Sequence, residues 1–153
     1  MIPLDCFYND CTEEQLKDLS NVNFDHPNMF DWPLLKETLQ KLREGQDVTL
    51  PDYDYITCTR KKSGIFRKWA PLIIFEGIFA LFERDIVFDF LDLKIFVHTD
   101  DDVRLARRIK RDIVERGRTI KSLLKGYHKF VKPGHSEFVK PTMKNADIIV
   151  PRG

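Results

Sequence analysis

Leu72–Leu81, LIIFEGIFAL, is the stretch on which the fold turns. A continuous apolar run reaches Glu76 and Gly77, and then apolar residues resume. A buried parallel strand reads this way when it delivers one carboxylate to the C-terminal edge of a sheet. Ligands bind at that edge in open α/β sheets, so Glu76 is the first candidate for chemistry. The plainer reading is a buried strand whose last residue reaches water.

Working outward, 153 residues fit one domain with enough chain for a core. The 42% apolar and 32% charged fractions describe a globular chain, and its 12 Phe imply a well-filled interior or an aromatic-lined pocket. A net charge of +1 argues against bulk affinity for nucleic acid or membrane. No apolar run reaches about 18 residues, and the N-terminus carries no secretory pattern. The three cysteines, Cys6, Cys11 and Cys58, match no metal or disulfide spacing, which suits a reducing cytoplasm.

Before the central run, Thr12–Gln15 is a capping-box pattern that starts a short helix. Asp31 caps an amphipathic helix with Pro33 in its first turn, Leu35, Leu39 and Leu42 as its stripe and Gly45 as its stop. Val48–Trp69 reads as a projecting β-hairpin, going out over Val48–Thr59, turning near Gly64 and returning over Ile65–Trp69. After the central run, Ile95–Val97 predicts another strand and Asp101–Arg116 a helix. Ile120, Leu123, Leu124, Tyr127 and Val131 mark a further helix stopped by Pro133, and Asp147–Val150 a last strand. Strands alternating with helices predict a parallel α/β sheet.

Arg104, Arg107, Arg108 and Arg111 share one helix face opposite Leu105, Ile109 and Ile113. Guanidiniums so placed repel one another unless an anion sits among them, and their forks suit phosphate oxygens. A solvated face is the ordinary alternative, and interleaved aromatics for nucleic acid are missing. Asp5, Asp25 and Glu76 lie at element ends or in loops, where a carboxylate can take a hydroxyl proton or stand beside Mg²⁺. Tyr8, Phe24, Tyr53 and Tyr55 flank polar residues, as in a pocket for a planar ring. Ordinary strand packing gives the same pattern.

In this order the pieces resemble the uridine–cytidine kinase family. The strings that carry the likeness are DCFYND, NFDHPNMFD, PDYDYITCTRKK, IIFEGIFAL, LKIFVHTDDDVRLARRIKRDIVERGR, FVKP and PTMKNADIIVPRG, nearly the whole chain. The resemblance implies a P-loop kinase-type parallel sheet flanked by helices, in one domain over 1–153. It carries a nucleoside-reading hairpin at 48–69 and an Arg-rich lid at 101–118. It implies transfer of the ATP γ-phosphate to uridine or cytidine, with Mg²⁺, in cytoplasmic pyrimidine salvage, by a homo-oligomer. Asp5 matches the base that deprotonates the 5′-hydroxyl, and Asp25 the carboxylate on the ribose hydroxyls. Tyr8 and Phe24 match pocket aromatics, Tyr53 the residue that reads the pyrimidine edge, and Tyr55 a Phe that packs on the base. Glu76 matches the magnesium-associated acid. Arg108 and Arg118 match substrate- and phosphate-side arginines, and Arg111 and Arg116 the lid arginines that clamp ATP.

The chain departs from the family in three places. Cys58 stands where the family reads the base with His, which leaves base preference open. Gly126 replaces a Gln, and Gly costs about 1 kcal/mol inside a helix. None of the seven glycines is followed by Lys, so G-x-x-x-x-G-K-[ST] does not occur. The expectation is therefore an N-terminally truncated chain without the first strand and P-loop helix, inactive alone. The alternatives are a non-catalytic partner that joins full-length kinase subunits through the hairpin, and a simple anion or RNA binder through the arginine stripe.

Overall fold

Two compact units make up the described chain, Met1–Asp92 and Leu93–Gly153. The computed structural model describes residues 1–82 and 84–153.

In the first unit, β1 (Ile2–Pro3) runs into a 3₁₀ turn, Leu4–Phe7, and α1 (Glu13–Lys17) follows. The predicted capping box forms: Thr12 Oγ1 accepts from Gln15 N–H at 3.2 Å, and Gln15 Oε1 from Thr12 N–H at 2.9 Å. Then comes α2 (Trp32–Arg43), whose cap, Asp31, accepts from Leu34 N–H at 3.0 Å. Leu35, Leu39 and Leu42 are buried, and Gly45 takes φ +80° just past the helix.

The hairpin is made of two short antiparallel ladders. Its inner rungs pair β2 (Val48–Leu50) with the strand at Ile65–Arg67, and its outer rungs pair β3 (Tyr53–Asp54) with β4 (Thr59–Arg60), all antiparallel. The Ile65–Arg67 strand is β5. The turn therefore lies at 55–58 and not at Gly64. Asp54 explains why: its Oδ1 accepts from the N–H groups of Ile56 at 2.8 Å and Thr57 at 3.2 Å, and Cys58 closes the turn at φ +55°. Gly64 instead lets the strands approach, since a Cβ there would fall on Thr49 Cγ2.

The central run forms only β6 (Phe75–Glu76), parallel to β1 with Ile2 opposite Phe75 and Pro3 opposite Glu76. Leu72 is 81% and Ile74 58% exposed, against the expectation of a buried strand. Among the described residues β6 has only β1 beside it, so those side chains stay open. The core lies just beyond: Leu4, Phe7, Leu35, Leu50, Phe79 and Val87 are fully buried, the last in α3 (Arg84–Val87).

In the second unit, β7 (Ile95–His98) pairs in parallel with the strand Ile148–Pro151, Ile95 opposite Ile148. Between them lie α4 (Asp101–Val114) and α5 (Ile120–Gly126). Helical structure does not stop at Pro133. It continues through π turns at Tyr127–Val131 and His135–Val139, with α6 (Lys132–Gly134) between them and 3₁₀ turns over Lys140–Asn145. Pro removes one donor and crowds the carbonyl four residues back, and a π turn widens the coil there. The closing strand, Ile148–Pro151, is β8.

Candidate functional site

The 3₁₀ turn after β1 carries Asp5 and leads into the buried Tyr8. Tyr8 is the centre of an aromatic cluster. Its ring lies 4.2 Å from Phe30 and 5.2 Å from Tyr53 by centroid, with Phe24 edge-on at 6.3 Å. Its hydroxyl donates to the Phe24 carbonyl at 3.1 Å, tying down the loop that carries Asp25. Burial first, and then the charges of Asp5 and Asp25, push the Tyr8 phenol far above its ordinary pKa. Both carboxylates therefore act on the one ring.

The hairpin delivers Tyr53, with Tyr55 edge-on to it at 5.5 Å. Tyr55 is 56% exposed, while Tyr53 and Cys58 are buried. Cys11 N–H donates to the Cys58 carbonyl at 3.0 Å, pinning the hairpin tip to the segment after Tyr8. The thiols of Cys11 and Cys58 lie near the Tyr53 phenol, which burial raises above its ordinary pKa. As soft, weak acceptors they leave its buried hydroxyl without a hydrogen bond of normal geometry. Glu76 ends β6, and its carboxyl pKa is raised by partial burial and then by Asp5. The first unit thus brings together Asp5, Tyr8, Phe24, Asp25, Tyr53, Tyr55 and Cys58, with Glu76 within electrostatic reach of Asp5.

In the second unit the arginine stripe has its anion built in. Asp112 is fully buried. Arg111 Nε donates to its Oδ1 at 2.9 Å, Arg116 Nη1 stands 3.6 Å from Oδ1, and Arg108 Nε 3.6 Å from Oδ2. Arg118 N–H donates to the Asp112 carbonyl at 3.0 Å, so Arg108, Arg111, Arg116 and the backbone of Arg118 gather at this residue, while Arg104 pairs with Asp101 and Arg107 donates to the Gly153 carbonyl. Asp112, not the Leu105–Ile109–Ile113 stripe, is the buried side chain of α4.

The stripe is felt at His135. Burial and then the Arg104 guanidinium, whose Nη2 lies 3.4 Å from Nδ1, hold its pKa below 6.5; Lys140 and His98 act the same way, and Asp101 opposes them. A depressed pKa gives stability above the unfolded value that is lost as pH falls through the folded one. The second unit is expected to weaken as pH drops below about 6.5. His135→Gln should flatten that slope in thermal melts, and an equal slope in the variant would refute the assignment.

Comparison with known proteins bears on this pair of sites. The model of the phosphoribulokinase/uridine kinase family matches residues 1–153. The chain belongs to that family. Uridine kinase of Clostridium novyi is 47% identical over 153 residues, covering 100% of this chain and 73% of that protein. Uridine-cytidine kinase-like 1 of Mus musculus is 47% identical over 155 residues, covering 100% of this chain but only 28% of the mouse protein. Among solved structures, phosphoribulokinase from Rhodobacter spheroides superposes with a TM-score of 0.67 at 16% identity, over 98% of this chain and 58% of that one. The fold is the α/β fold of these kinases, parallel strands flanked by helices.

In this uridine kinase family chain, Asp112 and Arg60 hold more of the geometry than their places in the sequence suggest. Asp112 had a signal: it lies four residues from both Arg108 and Arg116, one helical turn either way. Arg60 had none beyond its place in a basic run, because its partners are far off in the chain.

Proposed function

We propose that the chain is the nucleoside-binding and phosphate-clamping part of a uridine/cytidine kinase. The observation that carries this reading is the aromatic cluster of Tyr8, Phe24 and Tyr53 beside Asp5 and Asp25, in which the buried Tyr53 hydroxyl has no hydrogen bond of normal geometry among the described residues. Buried polar atoms are almost always paired, and a pyrimidine edge would supply the partner. Asp25 is suited to the ribose hydroxyls, and Tyr8, Phe24 and Tyr55 to the faces of the base. Asp5 takes the proton of the 5′-hydroxyl as its oxygen bonds to the γ-phosphorus and the bond to the β-phosphate oxygen breaks, giving UMP or CMP and ADP.

Arg111 and Arg116, which match the family's lid arginines, are suited to phosphate oxygens, as are Arg108 and Arg118, and guanidiniums of this kind would spread developing charge. Glu76 would hold Mg²⁺, which takes one or two protein oxygens and otherwise water and phosphate. Such an ion would neutralise charge between the β- and γ-phosphates. No group of three or more acidic, His or Cys side chains suited to a metal occurs among the described residues. The setting is pyrimidine salvage in the cytoplasm.

The P-loop motif does not occur in these 153 residues. They are expected to bind nucleoside and not to turn it over. Titration calorimetry with uridine, cytidine and adenosine tests the first half, and an ADP-coupled assay with ATP the second. Absence of heat with both pyrimidines would sink the proposal. A second reading, a non-catalytic subunit of a kinase oligomer, draws on the hairpin, where Ile56 is 88% and Phe66 63% exposed. Native mass spectrometry with a full-length family kinase tests it, and no mixed oligomer would end it.

A further inference from the structure

Arg60 sits where three parts of the first unit meet. It is on β4, directly opposite Tyr53. Its backbone N–H donates to Asp10 Oδ1 at 2.6 Å. Its Nε donates to the Tyr8 carbonyl at 2.9 Å, and its Nη2 to the Phe7 carbonyl at 3.4 Å. Its Nη1 donates to Asp31 Oδ2 at 3.1 Å, in an ion pair whose side chains are 24% and 26% exposed. Asp31 is not an idle partner. Its Oδ1 caps α2, and its N–H donates to the same Phe7 carbonyl at 2.8 Å.

One planar fork thus fixes the backbone of Phe7 and Tyr8, the start of α2 and the hairpin rung that carries Tyr53. These are the elements on which Asp5, Tyr8 and Tyr53 ride. The Tyr8 hydroxyl in turn holds Phe24 by its carbonyl. A lysine could replace the charge but not these directed contacts, since an ammonium is a point charge on a flexible stem.

We propose that Arg60 is a positioning residue for nucleoside binding, setting Tyr8 and Tyr53 against each other without touching the ligand. This rests on the nucleoside reading above. Arg60 acts by setting Tyr8 against Tyr53, so its effect on affinity should shrink where Tyr8 has lost its ring.

The test is titration of the full 153-residue chain with uridine and cytidine, at a temperature where near-UV circular dichroism shows each variant folded. Arg60→Ala is expected to weaken the better nucleoside about tenfold or more. Arg60→Lys, which keeps stem and charge and is the safer variant to fold, is expected to weaken it more than about threefold. Lys61→Ala, at the next residue in the chain, should bind like wild type. In a Tyr8→Ala background, Arg60→Ala should add less than about twofold. A merely structural arginine would lower the melting temperature and leave affinity in the folded range unchanged. Wild-type affinity in both Arg60 variants, an equal loss in Lys61→Ala, or additive losses with Tyr8→Ala would each overturn the proposal while the nucleoside reading stands. A wild-type chain that binds neither nucleoside overturns both.

Discussion

Gly77→Ala is expected to lower the stability of the first unit by about 3 kcal/mol or more. Gly77 follows Glu76 at the end of β6, at φ +156°. A Cβ there would fall on Leu4 Cβ, well inside van der Waals contact, and lie 3.1 Å from Leu4 Cδ2 and 3.3 Å from Cγ. Leu4 has nowhere to go, because it is fully buried in the core with Phe7 and Phe79. Leu4 also begins the 3₁₀ turn that holds Asp5. Displacing it therefore strains the core and moves a proposed base at once. Urea or thermal unfolding followed on the first unit's tryptophans, Trp32 and Trp69, would read the change, with a melting temperature about 10 °C lower. A variant within about 1 kcal/mol of wild type would mean that the turn over Gly77 yields easily, and the tight-packing argument would fail.

The parts of this fold written in local chemistry were legible. The α2 helix begins with Asp31 and Pro33, repeats Leu at helical spacing and ends before Gly45, and it forms as read. The capping box at Thr12 is local in the same way. Errors arose where a distant or unusual partner decides. Gly64 looked like a turn residue, but Asp54 had already satisfied the N–H groups that make the turn, and Gly64 was needed for close approach to Thr49. Pro133 looked like a stop, but π turns absorb it. The site divides similarly. The clustering of Tyr8, Phe24 and Tyr53 was foreseeable from type and order. What holds them was not, since Arg60 and Asp31 are 29 residues apart and nothing near either one announces the other.

The arginine stripe was the most instructive case, because an anion was expected among the guanidiniums and the chain supplies one itself. Asp112→Asn is expected to lower the stability of the second unit by about 2–3 kcal/mol. Removing a partner from a buried ion pair costs about 3–5 kcal/mol. Here the cost is smaller, since the side chains of Arg108, Arg111 and Arg116 are 26%, 42% and 44% exposed and can turn to water. The amide keeps the volume and one acceptor for Arg111, so loss of charge is the main change. Three guanidiniums then face one another with no anion between them.

That gives a signature in salt. Raising ionic strength to about 1 M shortens the screening length to about 3 Å, so it should restore much of the variant's stability and move wild type little. A polyvalent anion such as inorganic triphosphate should do so at far lower concentration, because it can span several guanidinium forks. Thermal melts of both proteins against sodium chloride and against triphosphate would measure this. If Asp112→Asn melts like wild type, or its loss is insensitive to both, Asp112 is not what holds the arginines together. If salt rescues and triphosphate does not rescue at lower concentration, the stripe has a counter-ion but no built geometry for phosphate, and its proposed role as a clamp falls.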